Sequence, residues 1–290
     1  MKVTATGYDF RTAHAAMQRY VDGNLLSGFS SAVLVGRDLV DVKCIGWADK
    51  EAQIPLRVDH IFRVFSNTKL VISCAALLLF EEGRFQLDDP IEQFIPQLAN
   101  RRVLRPYAAS LDRTEPAVRP ITVRHLMSHS PIDPMKPGLT RIDDAPYPGA
   151  YLRPFPRQNA GAGLVSTLPD MVTLIRSLLP GGPALLKPDT IELMMTNQLP
   201  GGVWIRFPIF GAIQGRGYGL AGALILEPAV FDHQDARGEL YWGGRAGTQW
   251  WISPEKNTVG LIMVQRESGF AHPSAIEFKR LAYDAVKHKS

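Results

Sequence analysis

The run Ile61-Phe62-Arg63-Val64-Phe65-Ser66-Asn67-Thr68-Lys69-Leu70-Val71-Ile72-Ser73-Cys74-Ala75-Ala76-Leu77-Leu78-Leu79-Phe80-Glu81-Glu82-Gly83 decides how this chain is read. From Leu70 to Phe80 nearly every residue is apolar, which predicts a central helix buried on all sides and not an amphipathic surface helix. Gly83 supplies the left-handed stop that commonly ends a helix. At the first turn stand a hydroxyl and an amine three residues apart, so Ser66 and Lys69 share one helix face and can reach each other.

A serine hydroxyl is a weak nucleophile until a neighbouring base takes its proton, and lysine serves as that base only when burial or nearby positive charge lowers its pKa. The start of a buried helix supplies desolvation, partial positive charge and free backbone N–H groups for a developing oxyanion. Spacing alone is a weak signal, because S-x-x-K arises by chance about once in a chain of this length. The alternative reading of the pair is a capping serine with a snorkelling lysine. The chain carries its own control in Ser253-Pro254-Glu255-Lys256. That copy contains a proline and lies between two strand-like runs, Gln249 to Ile252 and Val259 to Val264, so it reads as a hairpin turn with a solvated lysine.

With 290 residues, 46% of them hydrophobic, the chain can bury a large core. The formal net charge is +4, and the basic residues are scattered except for Arg101, Arg102, Arg105, Arg113, Arg119 and Arg124. No aromatic interleaving or recognition-helix pattern accompanies that cluster, so it reads as a solvated loop and no nucleic-acid partner is expected. Cys44, in a strand-like run, and Cys74, in the apolar helix, have neither metal-ligand nor redox spacing and read as core thiols. Met1 to Phe10 lacks the apolar stretch of a secretory leader, and no run approaches the length of a membrane span. The expectation is a cytoplasmic protein without membrane association.

Along the chain, Ala13, Ala16, Met17, Tyr20 and Val21 form one stripe of an amphipathic helix over Phe10 to Asn24. Ser30 to Val35 and Leu39 to Trp47 are strand-like runs around Gly36-Arg37-Asp38, a hairpin composition. Ile61 to Phe65 is strand-like, and a short helix is expected to begin at Pro90 behind Asp88 and Asp89. Arg101 to Pro120 reads as a charged loop. Ile121 to His129 reads as a helix capped by Thr122; His125 and His129 stand four apart but lack the glutamate of H-E-x-x-H and a third ligand, so no metal is expected. Pro131 to Asn159 holds seven prolines and reads as a loop. Helices follow at Asp170 to Leu179 and Pro188 to Asn197. Short strands are expected at Tyr218 to Leu220, Leu240 to Gly244, Thr248 to Ile252 and Thr258 to Gln265. The last helix, Pro273 to His288, carries Ile276, Leu281, Ala285 and Val286. The layout is α+β: one domain over 1–290, with a mainly antiparallel sheet from about 1–60 and 215–290 and a helical region over about 61–214.

Four stretches, Ile61 to Pro90, Ile121 to Ser130, Gly161 to Asp170 and Trp242 to Pro254, resemble the serine β-lactamase-like hydrolases in order and spacing. The resemblance is strongest to the class C β-lactamase-like, family VIII carboxylesterases, which use S-x-x-K in place of G-x-S-x-G. No G-x-S-x-G occurs in this chain.

What the resemblance implies is a β-lactamase/penicillin-binding-protein-like fold and an acyl-enzyme mechanism, with Ser66 as nucleophile and Lys69 as its proton partner and with no cofactor. Trp242-Gly243-Gly244 stands where other relatives have K-T-G, and the N–H of Arg245 would join that of Ser66 in an oxyanion hole. Loss of the K-T-G lysine removes a cation for a substrate carboxylate, so the expected substrate is a small, uncharged ester. The family also carries a tyrosine motif, Y-x-N or Y-x-S, in a long helical segment between the regions matched by His129 and Gly161. This chain has only about thirty proline-rich residues there. Tyr147 and Tyr151 fall in the gap, and Tyr151-Leu152-Arg153 departs from the motif. Two other readings follow: a catalytically impaired ligand- or partner-binding module, and a β-lactamase or D-Ala-D-Ala peptidase. Loss of the helical segment also predicts an uncovered apolar patch and self-association into a homo-oligomer.

Overall fold

The computed structural model describes residues 1–4, 7–104, 114–117, 119–128, 160–207 and 211–287. Early strands are β1 (Gly28–Val35), β2 (Asp38–Asp49) and β3 (Ile54–Pro55). Three short pairs follow: β4 (Phe62–Arg63) with β7 (Val165–Ser166), β5 (Arg102–Leu104) with β6 (Thr114–Pro116), and β8 (Arg206–Phe207) with β9 (Gly211–Ala212). The late strands are β10 (Arg216–Tyr218), β11 (Ala223–Ile225), β12 (Leu240–Gly243), β13 (Gln249–Ser253) and β14 (Thr258–Met263). Together the early and late strands form one eight-stranded antiparallel sheet in the order β10-β11-β12-β13-β14-β1-β2-β3. The join between the two ends of the chain is β1 against β14, with Ser30 opposite Met263 and Val35 opposite Thr258.

Alternation along β1 sends its side chains to two separate cores. Phe29 and Val33 face α1 (Arg11–Asp22) and α6 (Pro273–Lys287), where Ala13, Ala16, Met17, Phe278 and Ala282 are buried. The rings of Phe29 and Phe278 meet at 5.1 Å, tilted by 59°. Ala32 and Leu34 face the other way, toward α2 (Thr68–Glu81), α4 (Leu168–Arg176) and α5 (Pro188–Met195). Each such fully buried Leu or Phe contributes about 1.5–3 kcal/mol. Gly260 sits opposite Trp251 in the β13–β14 ladder, and a Cβ there would lie 2.0 Å from the indole, so the glycine makes room for the ring.

Several expectations are corrected. The apolar helix is α2, but it is not buried all round: Ile72 and Leu79 are 40% and 45% exposed, while Leu70, Ser73, Cys74 and Leu77 face inward. Pro90 is extended and precedes a 3-10 turn, Ile91–Gln93, because its N-terminal neighbours pair with the region of Thr122 instead of starting a helix. Arg101 to Pro120 is not all loop, since it holds the β5–β6 pair. On α6 Ile276 is exposed, whereas Ala285 is buried and Leu281 and Val286 pack against the core as expected, beside Ala275, Phe278, Ala282 and Tyr283. Thr122 does cap α3 (Val123–Met127): its Oγ1 accepts from His125 N–H, and His125 Nδ1 accepts from Thr122 N–H at 3.0 Å, so His125 is a capping partner. Arg124, from the basic cluster, donates to Asp88 at 2.7 Å. Burial pushes the Cys74 thiol up to about 12. Among the described residues, no helix is long and apolar enough to cross a membrane.

Candidate active site

Strand β4 ends in a tight 3-10 turn, Phe65–Asn67, that leads straight into α2. Phe65, immediately before the serine, has φ +44°, a left-handed conformation that costs a bulky residue on the order of 1–3 kcal/mol. The turn is held from both sides. Val64 N–H donates to Leu164 O at 3.1 Å, and Leu164 N–H donates to Thr68 Oγ1 at 3.1 Å. The segment entering β7 is thereby strapped to the start of α2.

Lys69 Nζ lies 3.1 Å from Ser66 Oγ and donates to the Gly161 carbonyl at 2.9 Å. Both residues are half-buried. Burial pushes the Lys69 pKa below the ordinary lysine value of 10.5. Desolvation thus favours the neutral amine, the form able to accept a serine proton, while Gly161 fixes the direction of the side chain.

The pair opens on a cavity of about 620 Å³, within the range of small-molecule sites. One face of α2 supplies Ser66, Lys69, Ile72, Ser73 and Ala76, in keeping with helical spacing. Among the described residues, Leu126 and Met127 of α3, the Ala160–Ala162 segment, Ala221 and Tyr218 also line it. Tyr218 is the residue that sequence reasoning missed as a site residue, having placed it only in a short strand. It is 2% exposed, and its ring stands edge-on to that of Trp242 at 5.2 Å.

Trp242, Gly243, Gly244 and Arg245 do not line this cavity; they run beside the serine turn. Gly244 is where the two elements meet most closely, since a Cβ on it would lie 2.4 Å from both Val64 O and Thr248 Oγ1. No other residue fits there. Gly244 N–H donates to Thr248 O at 2.6 Å, and Thr248 Oγ1 donates to Val64 O at 3.1 Å. Arg245 turns its guanidinium outward to Glu267.

The second S-x-x-K is built differently. Ser253 is buried at the end of β13 beside another, largely apolar cavity of about 550 Å³, and Lys256 Nζ reaches Asp235 at 3.1 Å. His129, Tyr147 and Tyr151 lie outside the described residues.

A model of the Beta-lactamase family matches residues 13–131 and 132–284. Protein Rv1367c of Mycobacterium tuberculosis is 27% identical over 357 aligned positions, which cover 87% of this chain and 88% of that protein. Because the alignment is longer than this 290-residue chain, the relative carries stretches that this chain lacks. Esterase EstB of Burkholderia gladioli is 38% identical over 85 residues, 29% of this chain and 19% of EstB. Among solved structures, that of EstCE1, described as a hydrolase with promiscuous acyltransferase activity, superposes with a TM-score of 0.74 at 16% identity. That superposition covers 94% of this chain and 98% of EstCE1, and at such low identity it is a likeness of fold alone. The family match takes in most of α1, the serine turn, the β12–β13 turn and most of α6, so this chain belongs to the β-lactamase family.

Proposed function

We propose that the protein is a serine hydrolase that cleaves small, uncharged carboxylic esters through an acyl-Ser66 intermediate. The observation that carries this reading is the 3.1 Å approach of Lys69 Nζ to Ser66 Oγ at the wall of a ligand-sized cavity. In the proposed reaction Lys69 takes the Ser66 hydroxyl proton as Oγ attacks the ester carbonyl. The backbone N–H groups of Ser66 and Arg245 are the proposed oxyanion donors, each worth about 2.7–4 kcal/mol of barrier. Water then releases the acid and restores Ser66. No metal or cofactor enters this scheme.

Two features support an uncharged substrate. Trp242-Gly243-Gly244 provides no cation for a substrate carboxylate, and the cavity wall is apolar at Ile72, Ala76, Leu126 and Met127. That wall also favours a second reading, transfer of the acyl group to an alcohol in place of water, in line with the activity ascribed to EstCE1.

Steady-state hydrolysis of p-nitrophenyl acetate and butyrate tests the proposal. Wild type should turn both over, Ser66→Ala and Lys69→Met should each lose nearly all activity, and benzylpenicillin should be a poor substrate. An added short-chain alcohol should be acylated if the second reading holds. Folded wild-type protein that hydrolyses no ester favours the ligand-binding module instead, and efficient penicillin hydrolysis favours a β-lactamase.

A further inference from the structure

The Ser66–Lys69 pair accounts for one proton, the one that leaves the serine. Cleaving an alkyl ester also requires that a proton reach the leaving oxygen, because an alkoxide does not depart from a tetrahedral intermediate without being protonated. Either Lys69 hands on the proton it took, or a second group on the cavity wall supplies one while Lys69 stays directed at Ser66 and the Gly161 carbonyl. Among the described residues, the side-chain hydroxyls on the cavity wall are those of Ser66, Ser73 and Tyr218. Ser73 is a poor source, since an aliphatic hydroxyl is about as weak an acid as the leaving alcohol itself. A phenol is a far stronger acid, with an ordinary pKa of about 10.

Tyr218 is held rigidly at the end of β10. Its N–H donates to Asn197 Oδ1 at 3.0 Å, its carbonyl accepts from Gln198 N–H at 2.8 Å, and Trp242 packs edge-on to its ring. Its hydroxyl makes no hydrogen bond among the described residues, so the donor is uncommitted although the residue is almost wholly buried. Burial pushes the phenol pKa up, which keeps it protonated at rest and narrows, without removing, its advantage in acidity over an aliphatic hydroxyl.

We propose that Tyr218 is the proton donor to the leaving alcohol, a catalytic group contributed by the sheet and not by the segment between α3 and β7. The inference rests on the acyl-Ser66 reading. In acylation the Ser66 O–H bond breaks and its proton goes to Lys69, while Oγ bonds to the ester carbon. The carbon–oxygen bond to the alcohol then breaks, its electron pair stays on the leaving oxygen, and the Tyr218 proton joins it. The site now holds a Lys69 ammonium and a Tyr218 phenolate. In deacylation the phenolate takes a proton from the attacking water, and Lys69 returns its proton to Ser66 Oγ as the acid departs, so every proton is restored.

The test is the dependence of rate on the leaving group. Along a series of acetate esters from ethyl through phenyl to p-nitrophenyl, wild type should show a shallow dependence. Tyr218→Phe should lower kcat/KM for ethyl acetate by about 10²-fold or more, yet for p-nitrophenyl acetate by less than about tenfold, because nitrophenolate departs without a proton. Equal losses across the series, or none, would overturn the assignment, as would a steep dependence in wild type, a measurement that needs no variant. Tyr147→Phe and Tyr151→Phe should keep the wild-type dependence, and a selective loss of alkyl esters in either would move the role there. Fluorophosphonate labelling separates this idea from its premise: Tyr218→Phe should still label at Ser66, whereas a wild type that does not label removes the acyl-enzyme reading itself.

Discussion

The hydroxyl of Thr248, fully buried, donates to the backbone carbonyl of Val64 at 3.1 Å and so ties the turn that carries Arg245 to the turn that carries Ser66. The two turns meet again at Gly244, which has no room for a Cβ between Val64 O and Thr248 Oγ1. Thr248→Val keeps the shape and removes the bond, so stability should fall by only about 0.5–1.5 kcal/mol. The spacing of the proposed oxyanion donors should suffer more. We expect kcat for p-nitrophenyl acetate to drop roughly 10- to 100-fold with little change in KM, and Thr248→Ser to restore it. An unchanged kcat in Thr248→Val would show that the tether does not position the site.

A pH dependence follows from Lys69, whose pKa burial holds below 10.5. The folded chain gives up this proton at lower pH than the unfolded chain does. Between the two pKa values the unfolded state binds more protons, so the Lys69 contribution makes stability rise with pH across that window. Below the folded-state pKa the cost of burying the ammonium is fully present. Lys69→Met should therefore be no less stable than wild type at pH 7, and its advantage should vanish above pH 10.5. Ester hydrolysis by wild type should rise with pH and level off below the range where an ordinary lysine titrates. Urea denaturation and pH–rate profiles of both proteins check this, and a destabilised Lys69→Met at pH 7 would contradict it.

Much of this arrangement is legible in the residues, for identifiable reasons. The stripe Ala13, Ala16 and Met17 is buried as periodicity requires, and the β1–β2 hairpin turns at Gly36, which has φ +55°. The Ser66–Lys69 contact follows from helical spacing, which holds across the junction of the 3-10 turn with α2. Exposure of Ile72 and Leu79 was hidden, because an apolar run reports hydrophobicity and not which neighbours exist to cover it. Tyr218 was hidden for a different reason: no spacing links it to Lys69, and only sheet pairing brings β10 to the cavity. Nor does a sequence announce a left-handed phenylalanine such as Phe65.

The exposed side of α2 bears on association. Ile72, 40% exposed, and Leu79, 45% exposed, leave large apolar side chains of this helix in contact with solvent. We expect light scattering at micromolar concentration to report a mass above that of the monomer, and Leu79→Glu to lower it without loss of esterase activity. A monodisperse monomer would remove this expectation.

The central claim is that Ser66, activated by Lys69, is the nucleophile, and covalent labelling tests it most directly. The pure protein is incubated with a fluorophosphonate probe, digested, and the modified peptide located by mass. The account predicts one adduct, on Ser66, absent from Ser66→Ala and strongly reduced in Lys69→Met. Ser253, buried and with its lysine turned to Asp235, should carry none, and Lys256→Met should label like wild type. An adduct on any other residue, or full esterase activity in folded Ser66→Ala, would contradict the account.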